Sequence, residues 1–201
     1  MKKKYELTDG TYIVGMHILH RIKALKDFGD VKAGDLGGWI ESEYNLSDEG
    51  NCWIYDNSTV MGSVRIYENA TVRGLCHIDN KVMVHGNARL RNVTAYDNVE
   101  IYGNAQINGK VLLCDYVKIY GNAYVSGRIN LYDTVNIYGN SIIRGDGFLL
   151  GNSKISGTAM ISGEDISINK GISLDHGHWT KIINRGKTEY LVSNTLEKIK
   201  L

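Results

Sequence analysis

Histidine and acidic side chains are the groups in this sequence that could do acid–base or metal chemistry. His85 and His77 are candidate general bases, because imidazole exchanges a proton near neutral pH. Neither histidine has an evident orienting partner nearby in the sequence. The segment Asp175–His178 (DHGH) resembles a metal motif only weakly, with two histidines and one aspartate. Since a phosphate-binding glycine loop and a nucleophile elbow are also missing, we predict no catalytic residue, no metal and no cofactor.

Three arginines form the clearest charged cluster, at Arg73, Arg89 and Arg91. Guanidinium groups bind phosphate and carboxylate through paired hydrogen bonds. The cluster could therefore hold a phosphate-bearing ligand or an acidic protein surface, or it could simply be solvated. The whole chain has 23 basic and 22 acidic residues, so its net charge does not indicate nucleic acid as a partner.

The elements that must position these side chains follow from an internal repeat. The phrase IYGNA occurs at Ile101–Ala105 and at Ile119–Ala123, and IYGNS follows at Ile137–Ser141, each copy starting 18 residues after the last. Apolar residues extend this pattern into three series that are offset from one another by six residues. The first series is Ile66, Val84, Ile101, Ile119, Ile137 and Ile155; the second is Val72, Leu90, Ile107, Val125, Ile143 and Ile161; the third is Ile78, Tyr96, Leu113, Leu131 and Leu149.

Each six-residue unit has the pattern of one short strand and one corner. A small or branched residue precedes each series residue by two positions, which is the alternation of a strand. Gly-Asn and Asp-Asn pairs fill the corners, where left-handed backbone angles are needed. Three strands and three corners make a triangular coil. The pattern resembles the left-handed parallel β-helix of hexapeptide-repeat proteins, so we predict an all-β fold of 18-residue coils.

We predict three regions along the chain. Residues 1–50 lack the hexad pattern and should form an N-terminal cap, and residues 51–168 should form the β-helix. Residues 169–201 should form a C-terminal hairpin that turns at Asn184–Lys187, followed by a short helix with Asn194 as its N-cap. One residue is missing from the repeat within Asn92–Val99, which predicts a tightened corner there.

Two outward faces of the predicted prism could meet a partner. The first face has an aromatic ladder made of Tyr67, His85, Tyr102, Tyr120 and Tyr138. It could stabilise the sheet by cross-strand pairing, or it could be a binding platform. The third face is unusually apolar for a solvated surface, at Leu112, Cys114, Tyr132, Phe148 and Leu150. We expect the C-terminal hairpin or another subunit to cover it, and left-handed β-helix proteins are commonly trimers, so we predict a homo-oligomer, trimeric or dimeric.

Cysteine usage and hydropathy predict a protein of the cytoplasm. Cys52, Cys76 and Cys114 are odd in number and widely spaced, as expected for reduced thiols. The basic N-terminus is not followed by an apolar run of signal-peptide length, and no stretch approaches the ~18 apolar residues of a membrane span.

Two resemblances suggest opposite functions. The stretch Arg21–Asn57, with its motif GDLGGWIE at Gly34–Glu41, resembles the start of a family of phage and prophage proteins, and the resemblance extends over about residues 5–165. That family implies action in the cytoplasm of an infected bacterium. Our first hypothesis is therefore a non-enzymatic protein that binds a host protein or a nucleotide and inhibits an anti-phage defence system of the CRISPR or nucleotide-signalling type. The alternative is a trimeric acyltransferase with an acyl-CoA donor, because many hexapeptide-repeat β-helix proteins are acyltransferases that use a histidine base in a groove between subunits.

Overall fold

The protein is an all-β, left-handed parallel β-helix of about eight coils with roughly 18 residues each, which confirms the predicted fold class. The computed structural model describes residues 3–169, 171–183, 189–194 and 197–200. Within these ranges the helical structure is the short 3₁₀ turn Glu43–Asn45. The described residues contain no helix with the length and apolarity needed to cross a lipid bilayer.

Twenty-two strands lie within the described ranges. The first nine are β1 (Tyr5–Val14), β2 (His17–Ala24), β3 (Leu36–Ile40), β4 (Trp53–Ile54), β5 (Thr59–Val60), β6 (Arg65–Ile66), β7 (Thr71–Arg73), β8 (His77–Ile78) and β9 (Met83–Val84). The central ones are β10 (Arg89–Ala95), β11 (Glu100–Ile101), β12 (Gln106–Leu113), β13 (Lys118–Ile119), β14 (Tyr124–Leu131), β15 (Asn136–Ile137), β16 (Ile142–Leu149) and β17 (Lys154–Ile155). The last ones are β18 (Met160–Ile168), β19 (Ser173–Leu174), β20 (His178–Ile183), β21 (Glu189–Ser193) and β22 (Lys198–Lys200).

The three faces of the prism follow the three apolar series. On the first face, β6, β9, β11, β13, β15, β17 and β19 pair in parallel as one sheet. The second and third faces belong to one larger sheet, because β12, β14, β16 and β18 each run around the corner between them. Parallel pairing extends beyond residues 51–168, the predicted limits of the β-helix. At the N-terminal end β3 pairs with β5, and at the C-terminal end β19 pairs with β17.

Alternating side chains fill the core of each coil. In the coil that begins at Val99, the inward residues are at most 1% exposed: Val99, Ile101, Ala105, Ile107, Val111 and Leu113. Parallel pairing places like residues above one another, so each coil packs its aliphatic side chains on those of the next. The strict repeat therefore gives one continuous apolar column along the axis.

Side-chain amides tie the coils together at the corner between the first and second faces. Each of the first four asparagines in a column of five donates from Nδ2 to the Oδ1 of the asparagine in the next coil, over 2.9–3.2 Å. The members are Asn69, Asn87, Asn104, Asn122 and Asn140. A glycine precedes most of them in a left-handed conformation, for example Gly103 with φ +71°. The repeated Gly-Asn pair is thus explained by backbone angle and by amide stacking together.

The tightened corner was predicted within Asn92–Val99. It lies at the first residue of that range, Asn92, between Arg91 and Val93. Arg91 pairs with Asn108 and Val93 pairs with Val111, so this corner is one residue shorter than the next. As a result Ala95, not Tyr96, pairs with Leu113 and is buried. The assignment of Tyr96 to the inward third series was wrong, because the missing residue comes before it and shifts the register.

Antiparallel strands extend the sheet at both ends. At the N-terminal end, β1 pairs with β2 and β2 pairs with β3. At the C-terminal end, β20 stacks on β18 and then pairs antiparallel with β21, which forms the two strands of the expected hairpin. The expected turn at Asn184–Lys187 lies outside the described residues.

The predicted C-terminal helix was wrong in its described part. Lys198–Lys200 is the strand β22 and pairs with β21, in a register that places Ile199 opposite Leu191. Leu191 is fully buried, and Ile199 packs against the same core. Pairing with an open sheet edge therefore outweighs the helical propensity of this segment.

A buried lysine closes the N-terminal end of the core. Lys4 is fully buried, and its Nζ donates to the carbonyl oxygen of Cys52 at 3.0 Å, with Cys52 Sγ at 3.3 Å. Nζ also lies 5.1 Å from the centre of the Phe28 ring. Burial lowers the pKa of Lys4. The ammonium group thus satisfies backbone carbonyls where no further coil is present to do so.

Candidate functional site

The aromatic ladder on the first face is a continuous stack of parallel rings. Neighbouring ring centres are 4.6–5.1 Å apart, and their planes differ by no more than 8°. The order is Tyr67, His85, Tyr102, Tyr120 and Tyr138. Each ring follows an inward residue of β6, β9, β11, β13 or β15, so the register of the sheet holds the stack. The structure thus brings together all five predicted ladder residues.

His85 differs from the other rings because two carboxylates flank it. Its Nδ1 lies 3.8 Å from Glu68 Oε2, and its Nε2 lies 3.7 Å from Glu100 Oε1. These are ion-pair distances, longer than a hydrogen bond. The imidazole is held between Tyr67 and Tyr102, and 19% of its side chain remains exposed. His85 therefore has two carboxylate neighbours that the residues next to it in the sequence did not indicate.

The two carboxylates are themselves held in place. Glu68 Oε2 accepts a hydrogen bond from the backbone N–H of Gly86 at 2.7 Å. Glu100 accepts one from Lys118 Nζ at 2.8 Å, and this hydrogen bond, with the charges of Lys118 and His85, lowers the pKa of Glu100. Glu100 is therefore an anion at neutral pH, able to stabilise a protonated His85.

A groove on the first face includes Glu100, the carboxylate next to His85 Nε2, although His85 itself is not part of its lining. It has a volume of about 520 Å³, and Met83, Glu100 and Lys118 form part of its lining together with Arg65 and Tyr44. Met83 begins β9, and His85 directly follows that strand, while Glu100 lies at ion-pair distance from the imidazole. A small molecule in this groove would therefore lie next to an ionised carboxylate that is itself an ion-pair neighbour of the imidazole.

Neither His77 nor the DHGH segment forms a comparable site. His77 lies on the third face, where Nδ1 is 2.8 Å from Thr59 Oγ1. In the DHGH segment, His176 Nδ1 contacts Asp175 at 2.5 Å, whereas His178 Nε2 contacts Ser162 Oγ at 2.6 Å. These side chains face different partners, and the described residues contain no group of three or more potential metal ligands.

The three arginines do come together, on the second face. Arg73 and Arg91 are directly paired neighbours on β7 and β10, and Arg89 is two residues before Arg91 on the same strand. All three line a groove of about 770 Å³. The cluster is thus one surface feature, around the Asn corner from His85.

The predicted third-face residues are half-buried in the single chain: Leu112, Cys114, Tyr132, Phe148 and Leu150. The C-terminal hairpin continues the sheet from β18 along the axis, through β20, β21 and β22. In its described part it therefore caps the prism and does not cover this face, so that half of our expectation was wrong. Cover by another subunit remains a prediction.

One known protein is similar to part of the chain. It is an uncharacterized acetyltransferase, YdcK, of Escherichia coli strain K12. The two sequences are 54% identical over 43 residues, which is 21% of this chain and 13% of the relative. The chain therefore matches only a small part of that protein's length. No protein-family model matches the chain.

This likeness, on a hexapeptide-repeat β-helix, contradicts our expectation that the protein is not an enzyme. The expectation rested on the absence of a catalytic motif that is local in sequence. A β-helix builds sites differently, because residues one coil apart become neighbours, as His85 and its two glutamates show.

Proposed function

We propose that the protein is an acyltransferase that uses an acyl-CoA donor, with His85 as its general base. The observation that supports this most directly is the imidazole flanked by Glu68 and Glu100, of which Glu100 lines a groove. The fold and the partial likeness to an acetyltransferase point the same way. Neither supports inhibition of a host defence system, and the phage origin remains a prediction.

In the proposed reaction His85 takes a proton from the acceptor. With Nδ1–H directed toward Glu68, Nε2 carries the lone pair that acts as the base, next to Glu100. It removes the proton of an acceptor hydroxyl or amine as that group attacks the thioester carbonyl. The new C–O or C–N bond forms, the C–S bond breaks, and the proton ends on the leaving thiolate of CoA. Glu100 stabilises the imidazolium between these steps.

Thiol release from acetyl-CoA tests the proposal, first with water as acceptor and then with small amines and alcohols. His85→Gln should lower the rate by about 100-fold or more, because a positioned general base contributes about 10²–10⁴. His77→Gln is the matched control, since it makes the same change on the third face and should leave the rate unchanged.

Direct titration with acetyl-CoA separates a missing acceptor from a wrong proposal. Binding without turnover would call for a wider range of acceptors. A wild-type protein that neither binds acetyl-CoA nor releases thiol would refute the proposal, and so would equal rates in His85→Gln and wild type.

A further inference from the structure

The groove on the second face has a basic floor. Thr71 pairs with Arg89, and Arg73 pairs with Arg91, in the parallel register of β7 and β10. Paired residues on neighbouring strands are about 4.8 Å apart, and residues two apart on one strand point to the same side. The three arginine side chains therefore leave the sheet within one small area. Like charges directly opposite one another on neighbouring strands destabilise a sheet.

Only one of these charges has a protein counter-ion among the described residues. Arg73 Nη2 donates to Asp30 Oδ2 at 2.7 Å, and its guanidinium lies 3.6 Å from the centre of the Tyr55 ring. The Tyr55 hydroxyl donates to the other oxygen of Asp30. The described part of the chain offers no ion pair to Arg89 or Arg91, so the groove retains about two positive charges.

We propose that this groove binds a phosphate-bearing small molecule. Its volume of about 770 Å³ is that of a small-ligand site. Guanidinium groups bind phosphate oxygens through paired, charge-assisted hydrogen bonds. The amides of Asn69 and Asn87, which line the same groove, add neutral hydrogen-bonding groups. Arg73 is already fixed by Asp30 and Tyr55, so part of the site is ordered before the ligand binds.

The basic area is too short for a nucleic-acid strand. Beyond Arg91, the same outward column continues with the neutral residues Asn108 and Ser126, so the next arginine, Arg144, is three coils away. Two adjacent coils can therefore contact one or two phosphates, whereas a strand would need a longer basic track. The ligand could be the acyl-CoA donor itself or a separate phosphorylated molecule. The inference does not depend on acyl transfer, since the arginines would hold a phosphate in either case.

Calorimetric titration with inorganic pyrophosphate, ADP and acetyl-CoA tests the site. The double variant Arg89→Gln/Arg91→Gln should weaken pyrophosphate and ADP binding by roughly tenfold or more, because each lost contact is a hydrogen bond to a charged group. Arg128→Gln, an exposed arginine on β14 two coils away, is the matched control and should bind like wild type.

The probes also identify the source of the phosphate. If acetyl-CoA competes with pyrophosphate, the donor's phosphates occupy the groove; if both bind together, a separate phosphorylated molecule does. His85→Gln should retain pyrophosphate binding, so this site and the acyltransferase proposal can fail separately. The inference is overturned if wild type binds none of the probes at millimolar concentration, if Arg128→Gln weakens binding as much as the double variant, or if only polyglutamate or an oligonucleotide binds.

Discussion

At the scale of single residues, charged groups acquire partners from neighbouring coils. Glu68 and Glu100 are 17 residues before and 15 residues after His85, yet both lie within ion-pair distance of its ring. The same holds in the N-terminal cap. There His17 Nδ1 lies 3.0 Å from Glu41 Oε1, and Glu41 Oε2 accepts a hydrogen bond from the backbone N–H of Gly62.

The His17–Glu41 pair predicts a pH dependence of stability. The hydrogen bond with Glu41 raises the pKa of His17 above its ordinary 6.5, and that with His17, aided by Gly62, lowers the pKa of Glu41 below its ordinary 4.5. The histidine contribution is complete below pH 6.5 and is lost as pH rises through the raised pKa. The glutamate contribution is complete above pH 4.5 and is lost as pH falls. The pair therefore stabilises the cap most between about pH 4.5 and 6.5.

Thermal unfolding of wild type and His17→Gln, followed from pH 5 to 8, measures this effect. Wild type should lose about 2 °C more in Tm than the variant over that range, a small value because both side chains are about a third exposed. His20→Gln makes the same change on the same strand, outside this pair, and should follow wild type. Parallel curves for wild type and His17→Gln would contradict the prediction.

At the scale of elements, the corners limit which residues the repeat accepts. Gly145 has φ +132°, and a Cβ there would lie 1.7 Å from the carbonyl oxygen of Gly163 in the next coil. Gly15, in the turn between β1 and β2, also has a positive φ, +58°, but a Cβ there would meet nothing within 4 Å. The two glycines thus separate backbone strain alone from strain combined with a steric clash.

Alanine substitution at these two glycines should have unequal effects. Gly15→Ala should lower the free energy of unfolding by about 1 kcal/mol, the cost of one left-handed non-glycine residue. Gly145→Ala should lower it by about 3 kcal/mol or more, because the coils must separate to admit the methyl group. Urea unfolding followed by circular dichroism gives both values. Similar losses for the two variants would mean that the coils adjust more easily than their spacing implies.

The repeat made the coils predictable, whereas features that depend on other segments were not. Inward positions such as Ile119 and Ile137 follow from the six-residue period, because each hexad repeats the same backbone geometry. Tyr96 was misplaced because one residue is missing from the repeat, and the sequence alone does not show at which position it is missing. The arginine cluster was visible, but its groove was not, because Asp30 comes from a loop of the cap.

At the scale of the whole molecule, the third face is one of two surfaces in the described part of the chain with several apolar side chains; the other is the cap hairpin, where Ile13, Met16 and Ile18 are exposed. Leu75, which is 72% exposed, lies beside a groove of about 660 Å³ that also includes Tyr96 and Leu112. Phe148 and Leu150 continue the apolar surface toward the C-terminal end. Exposed apolar surface of this extent is typical of a contact between proteins. In a cyclic trimer this face would meet a different face of the next subunit, since such interfaces are heterologous.

A charge on the third face tests whether subunits meet there. Leu150→Asp should convert an oligomer to a monomer while the chain stays folded, because an unpaired carboxylate in an apolar interface costs several kcal/mol. Native mass spectrometry gives the subunit number, and circular dichroism gives the fold. Ile18→Asp makes a similar change on the cap hairpin, where Ile18 is 55% exposed, and should leave the subunit number unchanged. A wild-type monomer, or an oligomer that survives Leu150→Asp, would show that the third face does not join subunits.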